Sequence, residues 1–293
     1  MKIGYFLIVS IIAILGFTNP CFAAPKETPA VSSFQGTYDK AEEYWLENVN
    51  SESNESPRSA ILHFLGNVAS TMYHEFGHAL ISELELPVLG KEEDAVDAFA
   101  NIMMISDEPD PVLDEMIQAV SVEYFEDGKF SEPVTWDEHS MDEQRAYAVV
   151  CMLVGADPEG FKETADNADM PDHRQEACAY EWESTLNSWK KTIEVHYVSD
   201  EESQTAQIFI EYEKPNKKHL KVAGLLKAAG IIDDVVDEIE GTFKIPNDIS
   251  VVVKNCDEEN AFWFASDHQI TFCYELAEKY LVSAQSIQAL AEK

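Results

Sequence analysis

The chain has 293 residues, 45% of them hydrophobic, enough to fill a proper core and to exclude a disordered chain. It carries 55 acidic against 20 basic residues, a net charge of −35. A surface this negative repels nucleic-acid phosphates and anionic lipid headgroups, which removes both as expected partners and leaves basic or neutral ones. Most of the charge reads as a solvated face that keeps the protein soluble.

The first residues, "MKIGYFLIVSIIAILGFTNPCFAAP", set a lysine before an apolar run from Ile3 to Phe17, with small residues before a cleavage point after Ala23. This is the pattern of a secretory signal peptide over residues 1–23. No later stretch approaches the roughly 20 apolar residues that a membrane span needs, so no stable span is expected after cleavage. The expected location is therefore secreted or periplasmic. Cys21 falls within the discarded peptide, because "TNPC" lacks the residues that usually precede a lipidated cysteine. Residues 24–57 read as a polar segment, partly a tether, with one short helical stretch in "GTYDKAEEYWLENV". Residues 58–293 are expected to form a single domain.

From Ser59 to Leu86 apolar residues recur at helical spacing (Ile61, Leu62, Leu65, Val68, Met72, Phe76, Leu80, Leu84) until Pro87 stops the run. Further helices are expected from Lys91 to Met104, Asp110 to Phe125, Asp142 to Val154 and Arg174 to Thr192. After Thr192 the texture changes. "IEVHYVS", "TAQIFIEYE", "ISVVVKNC", "AFWFAS" and "QITFCYEL" are short runs rich in β-branched and aromatic residues, and they predict strands. One helix from Lys217 to Gly241 interrupts them, and another closes the chain from Tyr274 to Lys293. The fold class is α+β, a helical half followed by a small mixed sheet with a hairpin.

The chemistry sits on the first long helix. His74 and His78, four residues apart, project from one face where both imidazoles can reach one metal ion, and Glu75 lies beside them, placed to handle a water. A catalytic zinc needs a third protein ligand and an open fourth position. The metzincin continuation requires a glycine and a third histidine where this chain has Ile81 and Leu84, which excludes that class. On the next helix Glu93 and Asp97 stand four apart. Glu93 can serve as the third ligand while Asp97 accepts the second ring N–H of a liganding histidine. Glu92 and Asp94 stay as competitors, because one step along a helix turns a side chain by about 100°. Zn²⁺ is the expected cofactor, although affinity alone does not select it over other divalent metals. His139, in "WDEHSMDEQR", is the candidate auxiliary histidine that donates to an oxyanion, with a capping or outer-shell role as the alternative. Arg145 reads as a tie between carboxylates, and Phe262, Trp263 and Phe264 read as core.

This ligand pattern resembles the gluzincins, the zincins with a glutamate ligand. Three segments carry a closer resemblance: "HEFGHALISELELPVLGKEEDAVDAFA", "DEHSMDEQRAYAVVCMLVGADP" and "NCDEENAFWFASDHQITFCYEL". Together they resemble a bacterial family of exported proteins described as metallopeptidases and filed as a domain of unknown function. The resemblance covers most of the chain from Ile61 onward. It implies a zincin-like fold, zinc held by His74, His78 and Glu93, and Glu75 as catalytic base. In that family the segment with paired cysteines and "CYEL" precedes the HExxH helix, whereas here it follows, as though the chain were circularly permuted. The hairpin from Ala261 to Cys273 is then expected to return beside the metal, where an edge strand can hold an extended substrate.

Four cysteines remain after export, an even number in an oxidising compartment, and two disulfides are expected. Three pairings are possible. Closeness in sequence favours Cys151 with Cys178 and Cys256 with Cys273, the pairs that the resemblance also implies.

The expected function is hydrolysis of peptide bonds in a protein or peptide substrate, with Glu75 taking the proton of a metal-activated water. A different class stays open: a zinc-containing envelope binding or scaffold protein that turns over nothing. Loss of hydrolysis with retained metal in Glu75→Gln separates the two.

Overall fold

The computed structural model describes residues 34–49, 57–106, 108–132, 134–198 and 206–291, and the signal-peptide reading lies outside them. The described residues fall in one compact unit, helical in its first part, with a small mixed sheet in its second.

Helix α1 (Gln35–Tyr44) leads into one π-helical turn, Trp45–Val49. Trp45 and Ala41 are wholly buried and Tyr38 nearly so, and α1 packs on a later helix, α8 (Leu220–Ala229). The compact unit therefore begins ahead of residue 58, and this part of the polar segment is core rather than tether. Apolar area holds it in place: Phe34, Tyr38, Ala41 and Trp45 are all buried and join the main core.

The centre of the fold is α2 (Arg58–Glu83). Apart from histidine, its only charged residue between its two ends is Glu75, and the helix is buried on nearly all sides. It packs against α3 (Glu92–Met103), α4 (Pro111–Gly128), α9 (Ile231–Thr242) and α10 (Tyr274–Ala291). Asp110 caps α4, accepting from the Val112 and Leu113 N–H groups at 3.1 and 3.2 Å, with Pro111 at the first helical position. Three more helices follow: α5 (Asp142–Ala156), α6 (Lys162–Asn167) and α7 (Asp172–Ile193). The six-residue α6 is too short to show a period in sequence.

Strands β1 (Ile208–Tyr212), β2 (Ile249–Lys254), β3 (Ala261–Phe264) and β4 (Gln269–Cys273) form one sheet in the order β1-β2-β4-β3. β1, β2 and β4 run parallel. β3 returns antiparallel on β4, with Ala261 opposite Phe272 and Phe264 opposite Gln269, and so takes the edge. Both strands of this hairpin pack on α2.

Two expected elements differ. The stretch "IEVHYVS" is no strand: α7 runs on to Ile193, a 3₁₀ turn follows over Glu194–His196, and Tyr197 makes one isolated bridge to Phe243. A β-prone run without a partner along its length cannot keep a ladder. The single helix expected over Lys217–Gly241 is two, α8 and α9, because Gly230 adopts φ of 74° and ends α8 in the left-handed conformation that glycine tolerates.

Disulfides join Cys151 to Cys178, between α5 and α7, and Cys256 to Cys273, between the chain after β2 and the end of β4. Among the described residues no helix is long and apolar enough to cross a membrane. Replacing Cys151 and Cys178 together by serine should lower stability by about 3 kcal/mol. A lowered denaturant midpoint, with a steeper slope as the unfolded chain loses its constraint, will report it.

Candidate metal centre

The site is built on the contact between α2 and α3. A Cβ at Gly77 would stand 2.9 Å from both Val96 Cβ and Val96 Cγ1, so the absence of a side chain there lets α3 lie close along α2. That approach carries Glu93 and Asp97 onto His74 and His78. Glu93 Oε2 lies 3.2 Å from His74 Nε2 and 3.4 Å from His78 Nε2. The loop between α4 and α5 adds a third ring: His139 Nε2 stands 2.9 Å from the same oxygen. Of the three neighbouring carboxylates on α3, Glu93 alone faces both helix histidines by their Nε2 atoms. Glu92 meets His78 Nδ1 at 2.8 Å, and Asp94 accepts from Ser140 Oγ at 2.7 Å.

Behind the centre, Asp97 Oδ1 lies 2.8 Å from His74 Nδ1. Asp97 is itself gripped by Arg145, whose Nε and Nη2 each donate at 2.7 Å, and the Arg145 guanidinium stacks 4.3 Å over the Tyr124 ring. Arg145 thus fixes the carboxylate that orients a histidine. Glu75 is buried beside the two histidines, the one carboxylate on the inner face of an apolar helix.

The electrostatics follow from crowding. Burial pulls His74 down, but the carboxylates of Asp97 and Glu93 outweigh it and hold the ring up at about 9; His78 is raised in the same way by Glu93 and Glu92. Burial pushes the Glu93 carboxyl up, yet the imidazoles of His139, His74 and His78 take it far below the usual carboxylate range. Burial also opposes ionisation of Asp97, and Arg145 overrides it. Burial raises the Glu75 carboxyl and outweighs the lowering by the His74 and His78 imidazoles.

These residues fit a divalent cation. Glu93 Oε2 is buried and makes no hydrogen bond of acceptable geometry, although three ring nitrogens lie within 3.4 Å of it. A buried oxygen ringed by imidazoles and left unsatisfied is a donor set that lacks its acceptor, and imidazole with carboxylate suits zinc and its first-row neighbours.

A cleft of about 620 Å³ opens over the centre. His74, Glu75 and His78 line it from α2, Glu93 from α3, Tyr124 and Asp127 from α4, and Arg145 from α5; β3, the His139 loop and α10 complete it. Phe262 and Trp263 are half-buried and Phe264 is exposed, all lining this cleft. Trp263 packs against the main core as expected, whereas the core reading of Phe262 and Phe264 is corrected: an edge strand buries one face at most. Three contributors carry no local signal in sequence. Lys279 and Tyr280 come from the last helix, and Asp137, whose Oδ1 lies 3.5 Å from His139 Nδ1, looks in sequence like one more acid among many.

Three histidines and a carboxylate converging under an open cleft are an arrangement that suits a metal-dependent hydrolase. The sequence model of the DUF4344 family, described as "Putative metallopeptidase", matches residues 28–193 and 212–292, and the chain belongs to that family. Membership implies a metal and a protein or peptide substrate. No curated protein and no solved structure matches the chain.

Gly77→Ala should push α3 away through Val96 and weaken metal binding on the order of tenfold, the scale on which displaced supporting groups act. Competition with a chelating dye will measure it. The metal-free protein should also show a signature of His74. Its folded pKa of about 9 exceeds the ordinary 6.5, so its contribution to stability is complete below pH 6.5 and is lost as pH rises through 9. Thermal melts of chelator-treated protein across that window should fall, and should flatten in His74→Gln.

Proposed function

We propose that this protein is an exported, zinc-dependent peptidase with a zincin-like fold, in which His74, His78 and Glu93 hold the metal and Glu75 is the general base. The observation that carries the reading is the convergence of the histidine Nε2 atoms on Glu93 Oε2, with a buried carboxylate one residue from His74. When bound, zinc supplies Lewis acidity toward a water molecule and a substrate carbonyl.

The protein's own groups do the proton work. Glu75, raised by burial, accepts a proton from the attacking water more readily than a surface glutamate does, and it returns that proton to the leaving amine. His139 Nε2 faces the centre from the cleft side, where it can donate to the oxyanion. Asp97 orients His74, and Arg145 orients Asp97.

Substrate binding falls to β3. Its outer edge has no strand partner among the described residues, so an extended peptide can add to it and pass over the metal. The lining charges favour basic side chains in that peptide. Lys279 is engaged by Asp127 at 2.6 Å and Arg145 by Asp97, while Glu138 and Asp142 face the cleft without a cationic partner among the described residues. Two disulfides and the N-terminal pattern support export.

Glu75→Gln should retain stoichiometric zinc and lose hydrolysis of a peptide library by about 10²- to 10⁴-fold. Turnover that survives the substitution would overturn the base assignment, and a wild type that binds zinc but cleaves no member of the library would favour a binding protein instead.

A further inference from the structure

We propose that His139 is itself a metal ligand in the resting protein, a fourth donor that substrate must displace before the centre can work. This rests on the metal-centre reading above and goes beyond it. The two HExxH histidines share a pattern: each presents Nε2 to Glu93 Oε2, and each has its Nδ1 backed by a carboxylate, Asp97 for His74 and Glu92 for His78, both at 2.8 Å. His139 repeats the first half closely and the second at longer range. Its Nε2 is the nearest of the three to Glu93 Oε2, and its Nδ1 faces Asp137 Oδ1 at 3.5 Å. A ring that only waits to donate to a substrate oxygen has no need to approach a ligand atom this closely. A ring backed by a carboxylate on its far nitrogen is oriented as metal-bound imidazoles are. The His74 and His139 rings also lie nearly parallel, at 17°, with centroids 6.0 Å apart, on neighbouring sides of the same oxygen.

Four protein donors leave no open position, which is the condition of a structural site rather than a catalytic one. His139 is the donor able to leave. His74, His78 and Glu93 project from packed helices, whereas His139 sits on the loop between α4 and α5 with its side chain 46% exposed. The loop is held by exposed hydrogen bonds: Lys91 Nζ donates to the Asp137 and His139 carbonyls at 3.2 and 3.4 Å, and the His139 N–H donates to Asp137 Oδ1 at 2.9 Å. These are the weak, solvent-screened contacts that open first. Release of the ring would both free the metal position and leave Nε2 at the cleft wall. The resting ligand and the oxyanion donor are then one side chain in two positions.

The test uses the full mature chain loaded with zinc and X-ray absorption at the zinc edge. Three imidazoles are expected in the wild type and two in His139→Ala, with zinc affinity at least tenfold weaker in the variant. Acetohydroxamate should bind His139→Ala more tightly than wild type, because no protein ligand has to be cleared. Asp137→Asn should keep three imidazoles with affinity reduced about 10- to 100-fold. Two imidazoles in the wild type, unchanged in His139→Ala, would overturn the proposal and leave the zinc-peptidase reading standing. A wild type that binds no zinc would overturn both.

Discussion

The centre depends on one oxygen. Glu93 Oε2 is buried, carries negative charge, and faces three imidazole nitrogens that do not satisfy it by hydrogen bonding. Burying a carboxylate in this way is tolerable only where positive charge is close, since desolvation of an ion is otherwise prohibitive. The neighbouring His74 and His78 rings answer it: the carboxylates around them raise both, while the imidazoles depress Glu93. A divalent cation answers it better, because one ion meets all the donors at once. The shifted titration of these groups and the cation affinity proposed for them are therefore two expressions of the same buried oxygen.

The rest of the fold keeps those donors in register. α2 must be rigid and α3 must lie close to it, and Gly77 permits the second without disturbing the first. A further tie runs through the core. His63 Nε2 meets Glu123 Oε2 at 2.9 Å, Ser283 Oγ donates to the same oxygen at 2.6 Å, and Lys279 reaches from there to Asp127 at the cleft wall. One buried polar chain thus joins α2, α4 and α10 beneath the site. None of the four cysteines lines the cleft, so both disulfides brace the frame rather than the candidate site.

The candidate ligands on α2 and α3 were legible because helical spacing turns sequence distance into direction. His74, Glu75 and His78, then Glu93 and Asp97, are all local relations, and they survive translation into three dimensions. The α+β class and most helices were legible for the same reason. Gly230 was not, because apolar periodicity continues through it while the backbone turns left-handed. Nor was the closeness of His139 to Glu93, or the pairing of Asp137 with His139. These depend on where a loop of thirteen residues comes to rest, between α4 and α5, and no period encodes that. The aromatic run 262–264 reads as core by composition alone; its place at an edge over the cleft follows from sheet order, a non-local property.

The scarcity of positive charge gives the site its final character. In a chain with 55 acidic and 20 basic residues, two of the cations are spent behind or beside the centre: Arg145 under Asp97, Lys279 between Asp127 and Glu123. Each neutralises a carboxylate that supports the frame, and neither points free charge at the mouth. The cleft therefore keeps the negative potential that the whole surface has, focused by its walls. Under the proposed function, such a field would draw a metal cation inward and would favour a positively charged peptide over a neutral or acidic one. Placing the few cations behind the ligands rather than among them lets a strongly acidic protein build a cation site without weakening its pull on either cation.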